Sequence, residues 1–501
     1  MSSHVLTASI LGLDAHAVDV EADISPGLGA FSIVGLPDTA IQEAKERVRS
    51  AMKHADVPFP RTRVVVNLAP ADLKKTGTLF DLPIALAILI AQGDVPASGE
   101  IKRLVAGELG LDGSMRPIHG ALSVAILARE LNVDELILPA ANAKEAALVE
   151  GIAVLPAKNL RSVIDHVMGA APLEAEPPRD VLAQPVQVKG SDFATIRGQA
   201  QARRALEIAA AGGHNILMQG PPGSGKTLLA RSFPSILPRL TPDEALAVTR
   251  VYSVAGLLPD EGVMIERPFR APHHSASMMS LVGGGATPRP GEISLAHRGV
   301  LFLDEFLEFP RQVIESLRQP LEDGRVTVSR VQGSTTFPAR FILLAAMNPC
   351  PCGYLTDGER ACVCSPTQIL QYRKRLSGPL LDRLDLFIEV PKVKTDDLTS
   401  TASAESSALI RERVESARNR QRERYATLKL QTNAELTSDQ VMRHIELSTE
   451  AKQLLKHALD QYRLSARAYF RLLKVSQTIA DLSGEPRVEM AHVAEALQYR
   501  Q

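Results

Sequence analysis

Short unbroken apolar runs alternate with amphipathic stretches through the middle of this chain, as they do where a parallel sheet is flanked by helices. Residues 215–219, 299–303, 341–346 and 386–390 are such runs, each ending in polar or turn-forming residues. Their length and boundaries predict strands buried on both faces. Residues 324–333 behave differently: they alternate and then turn, which predicts a β-hairpin. Further on the period changes, and residues 408–425 and 446–482 carry apolar positions at helical spacing. Residues 171–190 are rich in Pro, Ala and acidic side chains without apolar periodicity, so they read as a linker. The expected fold class is α/β. A first domain occupies 1–170, the linker 171–190, an α/β core 191–395 and a helical domain 396–501.

Composition narrows the partners. The chain has 501 residues, long enough for about three domains, and 45% hydrophobic residues, typical of globular proteins. Its formal net charge of −1 excludes a globally basic surface, so any nucleic-acid contact comes from local patches. The longest apolar run, 82–91, is too short to span a bilayer. Asp14, Asp19, Glu21 and Asp23 leave no basic and apolar leader near the start. A cytoplasmic location without membrane partners is expected. All four cysteines fall within residues 350–364, which argues against a disulfide framework and for a reducing compartment.

The chemistry begins at Gly220-Pro221-Pro222-Gly223-Ser224-Gly225-Lys226-Thr227, directly after the 215–219 strand and before the helix-opening Leu228 and Leu229. In that context the glycines let backbone N–H groups turn onto phosphate oxygens. Lys226 reaches the β/γ-phosphates, and the Thr227 hydroxyl ligates Mg²⁺. ATP with Mg²⁺ is the cofactor expected. The 299–303 strand ends in Asp304 and Glu305, placed to hold the magnesium shell and to deprotonate an attacking water. Alone, such an acidic pair is equally a solvated helix start.

These motifs carry a resemblance. The nucleotide domain resembles an AAA+ ATPase, and the whole chain resembles the YifB/ComM family of magnesium-chelatase-like proteins. The likeness runs from Gly212-Gly213-His214-Asn215 into the phosphate cradle and on through 270–277 and 299–305. It closes with 347–353 and Pro379-Leu380-Leu381-Asp382-Arg383-Leu384-Asp385. It implies an AAA+ core followed by a helical lid. Asn348 is the implied polar sensor of the γ-phosphate, although an Asn-Pro turn explains it too. Arg383 is the implied arginine finger, inserted into the neighbouring subunit's site, with an ion pair to Asp382 or Asp385 as the plainer reading. Arg467 is the implied lid sensor arginine, against an ordinary surface arginine. A finger supplied from next door implies a homohexameric ring. The resemblance also implies an ATP-driven helicase and branch-migration motor on single-stranded or branched DNA. Such a motor, working with recombination proteins, promotes integration of incoming strands during natural transformation and homologous recombination.

Several segments stay open between chemistry and architecture. Residues 280–298 read as a flexible loop bearing Arg289, and the hairpin carries Arg330. In the resembled clade such inserts line a central pore, where both arginines would contact DNA phosphates without reading sequence. Solvated loop arginines explain them as well. Cys350, Cys352, Cys362 and Cys364 suit a tetrahedral Zn²⁺ site, free thiols or a redox pair. His273 and His274, with Arg270, suggest a loop near nucleotide or DNA. Residues 21–91 and 107–139 resemble the Lon-type protease fold. Yet 77–83 has no serine and 120–124 has no lysine, so the catalytic dyad is absent and a non-proteolytic scaffold is expected. Arg61, Arg63, Lys74 and Lys75 are weak candidates for DNA contact there. The arginine run 411–424 is interleaved with Glu412, Glu415 and Glu423, so a charge-laced helix explains it equally. Two other functions remain: a chelatase-type motor remodelling a protein partner, and a Lon-like protease, which the missing dyad disfavours.

Overall fold

A computed structural model describes residues 3–97, 99, 101–180, 191–285, 288–330, 333–393 and 404–500. Its centre is a five-stranded sheet ordered Phe269–Arg270, Val300–Leu303, Ile342–Met347, Ile216–Gln219 and Leu386–Glu389. Every pairing in it is parallel, so all the carboxyl ends share one edge. Side chains alternate between two cores. Ile216, Met218, Phe302 and Leu344 pack on the face covered by the C-terminal helices. Leu217, Leu301, Leu303 and Leu343 pack on the opposite face, whose core runs on into the first domain. Both faces are therefore apolar, which is why these segments read as unbroken runs.

The first domain is built on a seven-stranded sheet. Its order is Ala30–Val34, Arg63–Ala69, Asp14–Ser25, Ser3–Leu11, Arg103–Val105, Glu135–Pro139 and Ala153–Ala157. The pairings of Asp14–Ser25 are antiparallel and the others parallel. The 82–91 run is part of the buried Asp81–Gln92 helix beneath that sheet. Among the described residues no helix is long and apolar enough to cross a membrane. The nucleotide domain docks directly on this unit. Arg250 donates to Leu13 O at 2.8 Å and to Asp14 at 2.6 Å, and Gly120 N–H donates to Ser253 O at 3.1 Å. Residues 171–180 have no regular structure and follow this surface. Glu176 N–H donates to Val154 O at 2.8 Å, and the Arg179 side chain to Glu261 O at 2.7 Å. The rest of the expected linker, 181–190, lies outside the described residues, as does most of the softer boundary near 396.

Two sequence expectations need correction, on 280–298 and on the arginine run, while the helical stretch 446–482 holds and divides in two. Residues 280–298 are not a plain loop: the Met278–Val282 helix leads into a ribbon pairing Gly283–Gly284 with Arg289–Pro290, then the Glu292–Leu295 helix. The 446–482 stretch is two helices, Thr449–Tyr462 and Ala466–Ser483, because Arg463 turns left-handed (φ 47°) and Ser465 caps the second. Arginines of the Ser407–Arg424 helix tie it both to the core and to the rest of the lid. Arg413 reaches Glu207 at 2.6 Å, the buried Arg418 donates to Ala210 O at 2.7 Å, and Arg424 pairs with the buried Asp481. Their partners come from other elements, so neither a nucleic-acid patch nor a self-laced helix describes them.

The expected hairpin is present, with Arg325–Arg330 antiparallel to Gly333–Pro338. Its second strand presses Thr335 against the turn at Gly12, where an added Cβ would meet Thr335 Cγ2 at 2.4 Å.

Candidate nucleotide site

The Ile216–Gln219 strand delivers the chain to the carboxyl edge of the sheet, and the phosphate loop follows at once. Gly220 must be glycine, because a Cβ there would lie 2.2 Å from Val390 O. Gly223 and Gly225 take left-handed φ values of 75° and 91°, which turn the loop into the Lys226–Ser232 helix. Lys226 is 8% exposed. Its ammonium donates to Gly220 O at 2.7 Å and Pro221 O at 2.8 Å, both carbonyls of the phosphate loop itself. Burial lowers its pKa, while Asp304 and Glu305 pull it back up.

Two neighbouring strands complete the constellation. Val300–Leu303 ends in Asp304, whose carboxylate accepts from Thr227 Oγ1 at 2.7 Å. A hydroxyl and a carboxylate in contact are the oxygen pair that a hard divalent cation takes, so the residues fit Mg²⁺. Ile342–Met347 ends at Asn348, whose Oδ1 lies 3.5 Å from Lys226 Nζ. Glu305 has φ 49°, a sparsely populated conformation for a non-glycine residue, and such strain clusters at functional sites. Its carboxylate lies 3.3 Å from His274 Nδ1. Nothing in the spacing of the histidine pair points to this partner. Arg270 is held elsewhere, by two bonds of 2.6 and 2.8 Å to Glu292.

Arg383 and Arg467 are not with this group. Asn215, at the amino end of its strand, donates to Arg383 O at 3.1 Å. The strand between Asn215 and the phosphate loop spans about 13 Å at about 3.3 Å per residue. Both arginines line a cavity of about 490 Å³ at the amino edge, together with Asn215, Gly299, Phe341 and Asp385. Arg383 pairs there with Glu322, not with the flanking Asp382 or Asp385 suggested by proximity in sequence. Arg467 Nη2 lies 3.9 Å from the same carboxylate. Glu322 carried no signal in the sequence, since its partners are 61 and 145 residues away in numbering (383 − 322 and 467 − 322).

Arg289 is exposed on the short ribbon, near enough to the first domain that its charge, after burial, helps lower the His119 pKa. Arg330 closes the first hairpin strand, and its side chain lies outside the described residues. In the first domain Lys75 is buried and donates to Pro70 O, so it is no surface cation. Thr78 donates to Glu108.

The cysteines converge. Sγ separations are 3.4 Å for Cys350–Cys352, 3.7 Å for Cys350–Cys362 and 3.6 Å for Cys352–Cys362, and Cys364 lies within 4.8 Å of the others. A tetrahedral site with Zn–S of about 2.3 Å has S···S edges of about 3.8 Å, whereas a disulfide needs about 2.05 Å. The donors therefore fit zinc. The N–H groups of Tyr354 and Val363 pull Cys352 down to about 6. Cys362 is pushed up to about 12, because burial and the neighbouring thiols outweigh an N–H bond from Cys364. Such crowding lets one thiol ionise at the expense of another, and a divalent cation lets all four do so. The cluster abuts the phosphate loop: a Cβ at Gly353 would meet Pro222 Cδ at 2.7 Å. Protein purified without chelator is expected to carry about one zinc per chain. A ratio near zero, with four titratable thiols, would leave the cluster as reduced cysteines.

Fold and site together define the class: an α/β protein of the P-loop ATPase type. The family follows from comparison with known proteins, and the chain belongs to the YifB/ComM family of magnesium-chelatase-like AAA+ proteins. Residues 192–398 match the model for magnesium chelatase, subunit ChlI. Residues 20–142 match that for subunit ChlI of Mg-chelatase, and 404–500 that for its C-terminal part. Competence protein ComM of Haemophilus influenzae is 45% identical, over 99% of this chain and 97% of that protein. Uncharacterized protein YifB of Escherichia coli is 42% identical over the same shares. The magnesium-chelatase 67 kDa subunit of Chlorobaculum parvum is 30% identical over 33% of this chain and 24% of that protein.

Proposed function

We propose that this protein is an ATP-hydrolysing ring motor that moves DNA strands, with each catalytic site shared between two copies of the chain. On this reading residues 220–227 cradle the triphosphate, Lys226 takes β/γ-phosphate oxygens, and Thr227 and Asp304 hold Mg²⁺. The magnesium ion neutralises phosphate charge when bound. Glu305 accepts the proton of the attacking water, and Asn348 orients that water or the γ-phosphate. Arg383 and Arg467 belong to the next subunit's site, where they neutralise charge developing in the transition state.

The observation that carries this is their separation: both arginines face a cavity at the amino edge, while the phosphate loop lies beyond the carboxyl edge of the same sheet. On this reading, a finger so far from its own pocket serves another. Domains of 1–170, 191–395 and 396–501, joined by the 171–190 linker, fit the reading. The first serves as a Lon-like but non-proteolytic scaffold. Arg289 and Arg330 supply phosphate contacts on the inserts, and zinc in the cysteine cluster holds the loop beside Pro222.

The DNA step draws on the near full-length likeness to a competence protein. It takes the substrate to be single-stranded or branched DNA during transformation and recombination in the cytoplasm. The chelatase-type alternative draws on a likeness covering a third of the chain. A labelled three- or four-way DNA junction separates the two. ATP-dependent strand release by the wild type, lost in Glu305→Gln, is expected. Hydrolysis indifferent to DNA, with no strand movement, would favour remodelling of a protein partner.

A further inference from the structure

The geometry points to Glu322 as a positioning residue that sets both trans-acting arginines and ties them to the hairpin. This deepens the shared-site reading and rests on it.

Glu322 occupies the last turn of the Arg318–Asp323 helix. Gly324 ends that helix in a left-handed turn (φ 65°), and the Arg325–Arg330 strand begins at the next residue. The turn is closed by Ala339 N–H donating to Gly324 O at 2.8 Å, so both strands of the hairpin meet the helix end at one point. No slack separates Glu322 from the hairpin. A displacement of the ribbon is transmitted to the carboxylate through two residues.

At the other end, one carboxylate serves two cations from different elements. One oxygen takes Arg383 Nη2, from the turn that precedes the Leu386–Glu389 strand. The other lies 3.9 Å from Arg467 Nη2, at the start of the lid helix Ala466–Ser483. Arg383 has few other constraints. Its Nη1 bonds Pro379 O in its own turn, and its buried Nε has no hydrogen-bond partner. The direction of the guanidinium is therefore set largely by Glu322.

The chemistry suits a holder that lets go. Arg383 and Arg467 keep Glu322 below the usual carboxylate range, the hydrogen bond from Arg383 contributing most, so the residue stays charged. Its side chain is 52% exposed, so water screens the carboxylate even though the Arg383 side chain opposite is only 10% exposed. Phosphate takes the planar arginine fork in two parallel bonds. A neighbour's γ-phosphate would compete with Glu322 for these guanidinium groups. Glu322 also lines a second cavity, of about 530 Å³, with Met278, Val282, Val326 and Thr327, where the insert helix and the hairpin meet. The arginines, the lid and both inserts come together at this one side chain.

The test uses the full-length protein, with ATP turnover measured with and without a single-stranded oligodeoxynucleotide. Glu322→Gln keeps the volume and removes the charge. It should lower kcat by about tenfold and leave KM within about twofold, because the arginines act on the transition state and not on nucleotide binding. Stimulation by the oligonucleotide should fall toward one. Glu322→Asp, which keeps the charge, should recover part of both. In mixed rings Glu322→Gln should restore turnover when combined with Lys226→Ala, and should not when combined with Arg383→Ala, since Glu322 and Arg383 act from the same side. Unchanged kcat and stimulation in Glu322→Gln would overturn the inference. So would recovery with Arg383→Ala while the reference mixture of Lys226→Ala and Arg383→Ala works. Failure of that reference mixture removes the shared-site reading, and this inference with it.

Discussion

Arg383→Ala is expected to lower the rate of ATP hydrolysis by about a thousandfold or more, the usual loss when an arginine finger is removed. Nucleotide affinity should change little. The Arg383 side chain faces the amino-edge cavity, and the groups gathered around Lys226 do not include it. Arg383→Lys should restore little, because a single ammonium lacks the two-pronged fork that matches phosphate oxygens. Turnover assays paired with binding of a fluorescent ATP analogue would check both halves. A large loss of affinity with kcat intact would mean that Arg383 contributes to ground-state binding in its own subunit.

Glu305→Gln should lower kcat by about 10²- to 10⁴-fold, the range for loss of a positioned general base. The amide preserves size and still sits beside His274, so binding of ATP and assembly should persist. That combination traps the protein with nucleotide bound. It also makes this variant the cleanest control for strand movement on a DNA junction. Turnover within a few-fold of wild type would remove Glu305 from the proton-transfer role and leave its left-handed backbone unexplained.

The parts of this account that were legible in the sequence depend on neighbours in the chain. The phosphate loop is eight consecutive residues whose backbone does the work, so order alone reveals it. Asp304 and Asn348 were legible because each directly follows a buried strand, and in a parallel sheet such positions collect at one edge. The hairpin betrayed itself by alternation. What escaped depends on pairings across the fold. Arg383 had two acidic neighbours in sequence, yet it bonds Glu322 on a separate helix. The arginines of 411–424 looked like a surface charge pattern, whereas Arg418 and Arg424 find partners at Ala210 and Asp481. The 171–190 composition suggested a linker. The first domain nonetheless shares a continuous apolar core with one face of the nucleotide sheet, which a linker's composition does not report.

The placement of both arginines on the far edge from their own phosphate loop leads to a direct test. Lys226→Ala and Arg383→Ala are each expected to be inactive alone. Mixed and allowed to assemble, they should partly recover ATP hydrolysis, because some interfaces then pair an intact pocket with an intact finger. No recovery in rings proven to contain both subunits would contradict the account.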